Sequence, residues 1–207
     1  MIRSSVQLFA LIFSSIISVS RGWANHTLLL TDIDFVSAAW STALTVVMVG
    51  YNDNHGAIIR SIDAGLSWTS VSASVAKMTD VATITTSGTQ RFLGVATNGN
   101  IYSSTNNGLD FTKLVTITAE LYGISIGSNG NAFAVGVTNF PSAGKVYFVA
   151  GGGMYTIWKE ISPKPAAPVL FTAVTSFDGI RAIVVGYSGY IYYTADSGIF
   201  SGFHTDV

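Results

Sequence analysis

The segment Ser61–Trp68 reads Ser-Ile-Asp-Ala-Gly-Leu-Ser-Trp and fits the pattern Ser/Thr-x-Asp-x-Gly-x-x-Trp/Phe. Ser104–Phe111 repeats it with Asn106 in place of the aspartate, and Thr194–Phe200 keeps the threonine, the aspartate and the glycine. Asp or Asn accepts hydrogen bonds from backbone N–H groups of the same turn, and glycine adopts the positive φ that such a turn needs. Each segment therefore predicts a β-hairpin turn. The candidate structural residues are Ser61, Asp63, Gly65, Trp68, Ser104, Asn106, Gly108, Phe111, Thr194, Asp196 and Gly198.

These turns belong to a repeat with a period of about 45 residues. The turn glycines are Gly65, Gly108, Gly153 and Gly198, spaced by 43, 45 and 45 residues. A second set of glycines ends an apolar run in each unit: Gly50, Gly94, Gly136 and Gly186. The spacing is that of a four-stranded propeller blade. We predict an all-β propeller of about four antiparallel blades, or an incomplete larger one, with units at residues 28–70, 71–115, 116–162 and 163–207.

The strands are short and no segment after residue 24 has a helical period, so we expect almost no helix. The run Thr45–Val49 is apolar and β-branched, and is predicted to be a buried inner strand. Another β-rich stretch precedes each such run. These stretches are Phe35–Trp40, Val81–Thr85, Leu121–Ile126 and Phe171–Thr175.

The turn pattern resembles the Asp box, or BNR repeat, found in sialidases, sortilins, some xyloglucan hydrolases and photosystem II assembly-factor propellers. The short glycine-turn repeats are most similar in style to the assembly-factor propellers. The resemblance covers residues 28–207 as repeats. It implies a propeller whose boxes lie at the periphery, away from the axial pocket, so the boxes report fold and not activity.

The composition excludes one class of function and several kinds of site. Only 10% of the 207 residues are charged and the net charge is −1, without a Lys/Arg cluster, so we exclude nucleic-acid binding. The chain has no cysteine, hence no disulfide or thiolate site. Its three histidines are far apart, and the sequence has no phosphate-binding loop. We predict no cofactor and no metal.

Residues 1–24 have the parts of a secretory signal peptide. Arg3 gives a positive start, Val6–Val19 is apolar, and Gly22 and Ala24 are the small residues before a cut after Ala24. Ser18 and Ser20 offer a second cut. An apolar stretch this short favours a cleaved leader over a membrane anchor. We expect a secreted or luminal protein with a propeller domain over residues 25–207. Asn25 begins an N-glycosylation sequon.

The candidate chemistry after the leader is sparse. A sialidase would need an arginine cluster, a Tyr/Glu pair and an acidic acid/base residue. The three arginines, Arg60, Arg91 and Arg181, lie in different units. A glycosidase needs two facing carboxylates. The glutamates are Glu120 and Glu160, and Asp32 and Asp34 share one face of a predicted strand. Tyr190 and Tyr192 alternate onto one face of the last unit. They fit interblade packing and also a ligand platform, so they and the arginines are candidate binding residues.

Three hypotheses follow. We favour an exported, non-catalytic scaffold for a protein or carbohydrate partner, without stable membrane insertion after leader cleavage. The alternative is a glycoside hydrolase or sialidase-like enzyme, and a third hypothesis is a truncated fragment. Convergence of the arginines on one pocket would favour the enzyme, and their dispersal would favour the scaffold. An open ring would expose strands and favour a dimer.

Overall fold

The computed structural model describes residues 33–53, 55–71, 75–86, 88–139, 142–151, 155–161, 169–198 and 200–204. These residues form four antiparallel sheets of four strands each, as the repeat predicts. Each sheet is a meander in which every strand pairs with the next one along the chain. The described part contains no α-helix, and its one short 3₁₀ turn is Tyr187–Gly189. The all-β class with four blades is confirmed.

The strands are named in chain order. Sheet 1 contains β1 (Asp34–Trp40), β2 (Val46–Asn52), β3 (His55–Ser61) and β4 (Thr69–Ser70). Sheet 2 contains β5 (Met78–Thr86), β6 (Thr89–Ala96), β7 (Asn100–Ser104) and β8 (Thr112–Thr116). Sheet 3 contains β9 (Glu120–Ile126), β10 (Ala132–Asn139), β11 (Ser142–Val149) and β12 (Lys159–Glu160). Sheet 4 contains β13 (Phe171–Thr175), β14 (Ala182–Gly186), β15 (Tyr190–Thr194) and β16 (Phe200–His204).

The innermost strand of each sheet differs from the one expected. The apolar run Thr45–Val49 falls in β2, the second strand, whereas β1 lies inside it and faces a central cavity. The second strands of sheets 2 and 3 are apolar because neighbouring sheets cover both of their faces. In β10, for example, every residue from Ala132 to Val137 is buried. Continuous burial therefore marks the strand between two packed faces and not the strand nearest the axis.

Three hydrophobic clusters join consecutive sheets. Val47 and Val49 of sheet 1 share a cluster with Phe92 of sheet 2. Sheets 2 and 3 meet through a cluster that includes Leu93, Val95, Leu121 and Ala134. Sheets 3 and 4 meet through one that includes Phe133, Val135, Phe171 and Val184. Phe92, Phe133 and Phe171 are fully buried, and truncating such a phenylalanine to alanine typically costs about 3–5 kcal/mol. The fold is thus stabilised by face-to-face packing of the sheets.

Candidate binding cavity

Each innermost strand carries a β-bulge at the residue that faces the axis. One residue in each of β1, β5, β9 and β13 has no partner on the second strand: Val36, Thr79, Tyr122 and Thr172. A bulge bends the strand and re-aims the side chain of the extra residue. All four of these side chains line one central cavity. The repeat therefore places one variable side chain from every sheet into the same space.

The repeated glycine at the end of the second strand lets the bulged strand approach closely. A Cβ on Gly50 would lie 2.1 Å from the carbonyl oxygen of Asp34, and one on Gly136 would lie 1.8 Å from that of Glu120. Gly186 takes the same position opposite Phe171 in sheet 4. In sheet 2 this position belongs to Ala96, opposite Met78, and not to the expected Gly94. The glycine landmark is a packing requirement next to the cavity.

The cavity has a volume of about 490 Å³ and a mixed lining. Besides the four bulge residues it is lined by Tyr51, Lys77, Thr97 and Glu120. A space of this size falls within the range of small-ligand pockets. The lining combines two aromatic rings, one cation, one carboxylate and three threonine hydroxyls. Such a surface can bind a ligand that carries polar groups on an apolar body.

Lys77 and Tyr51 form one side of this lining. The Nζ of Lys77 lies 3.9 Å from the centre of the Tyr51 ring, a cation–π distance. Lys77 precedes β5 and Tyr51 lies near the end of β2, so the contact joins sheets 1 and 2. The ring holds the ammonium group at the cavity, where it can meet an anionic or carbonyl group of a ligand.

On β9, Glu120 and Tyr122 supply a carboxylate and a phenol to the cavity. The Tyr122 hydroxyl donates a hydrogen bond of 2.6 Å to Oε2 of Glu120. Burial, together with the hydrogen bond and the negative charge of Glu120, raises the pKa of Tyr122 to about 12. Tyr122 therefore stays a neutral phenol and a hydrogen-bond donor at physiological pH. Glu120 keeps a second oxygen as an acceptor.

Asp80 lies beside the cavity and ties three sheets together. Its Oδ1 accepts hydrogen bonds from the Ser37 hydroxyl at 2.6 Å and the Val81 N–H at 2.8 Å. Its Oδ2 accepts from the backbone N–H of Ile124 at 2.8 Å. Burial raises the pKa of Asp80 above its ordinary value, and these hydrogen bonds oppose that rise. Asp80 thus fixes the innermost strands of sheets 1, 2 and 3 relative to one another.

The three arginines proposed as binding candidates do not converge. Arg60 donates from Nε to the carbonyl oxygen of Asn107 at 2.7 Å. The guanidinium carbon of Arg91 lies 5.1 Å from the centre of the Tyr155 ring. Arg181 pairs with Asp178 at 2.7 Å on the surface. None of them lines the central cavity, and each holds together a turn or two neighbouring segments.

Tyr190 and Tyr192 pack between sheets 3 and 4. Their rings lie 6.2 Å apart and are stacked, and Tyr192 meets Phe171 edge-on at 5.5 Å. Both tyrosines pack against the cluster that contains Phe133 and Phe171. Two roles were predicted for this pair, interblade packing and a ligand platform, and the observed contacts are those of interblade packing.

The predicted turn residues lie in hairpins that connect the third and fourth strands. In the first turn the Ser61 hydroxyl donates to Asp63 Oδ1 at 2.7 Å and accepts from the Gly65 N–H at 2.8 Å. Gly65 has a φ of +89°. Asp63 also accepts from the Ser67 N–H and hydroxyl, and these bonds, led by the hydroxyl, lower its pKa to about 2. The Trp68 indole N–H donates to the carbonyl oxygen of Gly65 at 3.1 Å.

The second and fourth turns have related geometry. Ser104 donates to Asn106 Oδ1 at 2.9 Å and accepts from the Gly108 N–H at 3.0 Å. Thr194 donates to Asp196 Oδ1 at 3.0 Å. That carboxylate accepts the Gly198 N–H at 3.1 Å. Phe111 is buried in the cluster between sheets 1 and 2. The asparagine and aspartate side chains close equivalent turns, because an amide oxygen can accept the same bonds.

The third turn contains a residue that the sequence pattern missed. Tyr155 has a φ of +55°, and its carbonyl oxygen accepts the Trp158 indole N–H at 2.8 Å, just as Gly65 accepts that of Trp68. Gly153, the expected turn glycine, lies outside the described residues. Trp158 was the residue in the sequence that could have revealed this turn, but the turn is longer than the pattern allows.

Several other sequence-based candidates lie away from the cavity or outside the described residues. Glu160 pairs with Lys145 at 2.6 Å, and Asp34 is exposed at the start of β1. The leader, Asn25 and Asp32 lie outside the described residues. Within the described part, no group of three or more metal-ligating side chains could hold a metal ion. No helix in that part is long and apolar enough to span a membrane.

Similar architecture occurs in solved structures of propeller proteins. A GH74 enzyme of Niastella koreensis is 18% identical with a TM-score of 0.59 over 78% of this chain and 28% of its own. The Dos1 propeller is 13% identical with a TM-score of 0.63 over 84% of this chain and 48% of its own. YCF48 bound to D1 peptide is 15% identical, with a TM-score of 0.46 over 87% of this chain and 70% of its own. The chain has the β-propeller fold.

The propeller architecture predicted from the repeats is therefore confirmed, whereas the Asp-box family stays a prediction. No family model and no curated protein matches the sequence. The chain spans about a quarter of the GH74 structure and about half of the Dos1 structure. At these identities the likeness concerns fold alone, and function has to be argued from the cavity.

Proposed function

We propose that this chain is an exported, non-catalytic propeller that binds a protein or glycan partner in its central cavity. The observation that carries the proposal is the convergence of one bulged side chain from each of the four sheets on that cavity. A single cation and a single carboxylate flank two tyrosine rings there. This combination suits a peptide loop or a sugar, since both present polar groups on an apolar body.

The same residues argue against catalysis. The Tyr122 hydroxyl donates to Glu120 and its pKa is raised to about 12, so at neutral pH it is a hydrogen-bond donor to a ligand or to that carboxylate. Glycoside hydrolysis usually needs two facing carboxylates, and Glu120 is the one carboxylate among the described residues that line the cavity. Arg60, Arg91 and Arg181 make structural contacts elsewhere. Their dispersal supports the scaffold over the sialidase-like alternative.

The test is binding of the purified secreted protein to a glycan array and to a random-peptide array. Lys77→Ala and Glu120→Ala are assayed separately, because loss with the first points to an anionic ligand group and loss with the second to a donor group. A hydrogen bond to a charged group contributes about 1.5–3 kcal/mol, so we expect at least a tenfold weakening from one of them. Lys113→Ala, exposed on β8, is the matched control.

Two results would contradict this proposal. Binding that neither cavity substitution weakens would place the ligand elsewhere on the molecule. Turnover of fluorogenic glycosides that Glu120→Ala abolishes would establish the enzyme instead. The export part has its own measurement, which is the N-terminal sequence of the expressed protein recovered inside and outside the cells. A chain outside the cells that begins at Asn25 supports export with cleavage after Ala24, and a chain that stays inside the cells with an intact Met1 contradicts it.

A further inference from the structure

Two opposite charges line the central cavity without pairing with each other. Lys77 and Glu120 supply the one ammonium group and the one carboxylate among the described residues that line it. The ion pairs found among the described residues involve other side chains. Lys77 and Glu120 are both half-buried, so each charge has lost part of its water. The cavity therefore presents a cation and an anion that have no counter-charge in the described part of the chain.

Contacts to sheets 1 and 2 fix the position of Lys77. Its carbonyl oxygen accepts the Thr97 N–H of sheet 2 at 3.1 Å. Its Nζ lies 3.9 Å from the centre of the Tyr51 ring of sheet 1. The ammonium group is therefore held towards sheet 1, whereas Glu120 lies on β9 of sheet 3. Because a ring face attracts the charge without accepting a conventional hydrogen bond, the N–H groups of this ammonium can donate to a ligand.

Glu120 is held on sheet 3 at the same end of the cavity. Its Oε2 accepts the hydrogen bond from Tyr122, which leaves Oε1 as an acceptor for a ligand. The neighbouring innermost strands β5 and β9 are joined close by, where the Thr79 hydroxyl donates to the carbonyl oxygen of Leu121 at 2.8 Å. Lys77 precedes Thr79 by two residues and Glu120 precedes Leu121 by one. Both charges therefore lie where these two strands begin.

We propose that the cavity binds a zwitterion of the amino-acid class, a free amino acid or a short peptide, with its carboxylate at Lys77 and its ammonium group at Glu120. This inference rests on the proposed binding function of the cavity and narrows the class of its ligand. The cavity volume of about 490 Å³ is that of a pocket that takes a small ligand as a whole.

Ligands with one charge or none fit this pair of charges less well. A singly charged ligand pairs with one group and displaces water from the other, and a desolvated charge without a partner is unfavourable. Sugar hydroxyls can form hydrogen bonds with both groups but neutralise neither. A zwitterion pairs with both at once, so the unmatched charge acts against its competitors.

A length series of ligands distinguishes free amino acids from peptides. The probes are equimolar mixtures of the free amino acids and of mixed-sequence di-, tri- and tetrapeptides, tested by thermal unfolding of the purified full chain. At about 10 mM of ligand, even a millimolar dissociation constant gives a measurable rise in Tm. Each added residue lengthens the span between the two charged ends by up to about 3.5 Å. Because the protein charges are fixed, one length should raise Tm most. No rise with any mixture, or an equal rise with all four, overturns the inference.

Capped forms of the best single ligand then assign each end to its residue. In isothermal titration calorimetry, N-acetylation and C-amidation should each raise the dissociation constant of the wild type at least tenfold. In Lys77→Ala the amide cap should have no further effect while the acetyl cap still weakens binding, and in Glu120→Ala the reverse should hold. A substitution that merely disturbed the fold would not distinguish the two ends of the ligand.

Lys113→Ala and Asp110→Ala are the matched controls, because both residues are exposed and neither lines the cavity. They should leave every dissociation constant unchanged. A doubly capped peptide or a neutral glycan that binds the cavity as tightly as the free-ended ligand overturns the zwitterion and leaves the binding scaffold standing. A ligand whose binding neither Lys77→Ala nor Glu120→Ala weakens would instead contradict the proposed function itself.

Discussion

Asp80 should make the protein less stable as the pH rises, the opposite of the usual aspartate effect. Burial raises the pKa of Asp80 above its ordinary value of 3.8. The folded state therefore holds its proton more tightly than the unfolded chain, and the free energy of unfolding falls as the pH rises from about 4 through the folded pKa. Asp80→Asn removes this titration. Its amide oxygen can still accept the Ile124 N–H, and its amide N–H group can donate to Ser37 Oγ.

The magnitude at neutral pH can be set by a second variant. Asp80→Ala removes the acceptor for the Ser37 hydroxyl and for the N–H groups of Val81 and Ile124. An unsatisfied buried donor costs about 1–3 kcal/mol. The Ser37 hydroxyl can turn to another partner, so we expect a loss of about 2–4 kcal/mol. For a chain of this size that lowers Tm by about 5–15 °C.

Urea unfolding followed by tryptophan fluorescence from pH 4 to pH 8 measures both effects. The stability of the wild type relative to Asp80→Asn should be highest near pH 4 and decrease towards pH 8. Asp110→Asn, on an exposed turn residue, is the control and should leave the pH profile unchanged. A relative stability that rises with pH would refute the reasoning, because it would mean that the three hydrogen bonds outweigh burial. A stable Asp80→Ala would refute the claim that Asp80 joins the sheets.

Two further predictions concern the close glycine contact and the first hairpin turn. Gly136→Ala should destabilise the fold by about 3 kcal/mol or more in thermal unfolding, because its Cβ would overlap the carbonyl oxygen of Glu120. The control is Gly88→Ala, whose Cβ would meet no atom within 4 Å, so it should cost only about 1 kcal/mol for its positive φ. Equal losses in the two variants would contradict the steric argument. Asp63→Asn should reduce the loss of folding free energy between pH 4 and pH 2. The pKa of Asp63 is lowered to about 2, so the stability that its carboxylate contributes is present above pH 3.8 and is lost as the pH falls. An unchanged acid transition would show that the Ser67 hydrogen bonds do not form in solution.

The sheets could be predicted from the sequence because the turns between their strands are specified by neighbouring residues. Gly65 and Gly108 need a positive φ, and the side chains of Asp63 and Asn106 close their own turns, so each signal is complete within eight residues. The landmark Gly136 was informative because no Cβ fits against β9. The same signal failed in sheet 2, where Ala96 takes the equivalent position and Gly94 lies two residues earlier.

The cavity could not be predicted in the same way, because its residues come from four sheets and from one feature that the strand pattern conceals. A bulge removes one residue from the pairing, which is visible only once the partner strand is known. In the sequence alone, Tyr122 is therefore one more residue of a β-rich stretch, and Glu120 is an isolated carboxylate. In three of the four units the bulged residue lies at the same distance before the landmark glycine. That offset is a signal with which a sequence alone could be searched.

The bulges separate the residues that line the cavity from the residues that pack between the sheets. The buried positions next to them, such as Leu121 and Phe171, pack between sheets and tolerate little change. The bulged residues Val36, Thr79, Tyr122 and Thr172 differ in size and polarity although the four strands are equivalent. Their side chains line the cavity, and those of Thr79 and Thr172 also donate to the carbonyl oxygens of Val95 and Val185 on the second strands. A substitution of Val36 or Tyr122 therefore alters the lining more than the packing. Variation at Val36 and Tyr122 is therefore expected to change the chemistry of the cavity lining, with stability set by the sheets around it.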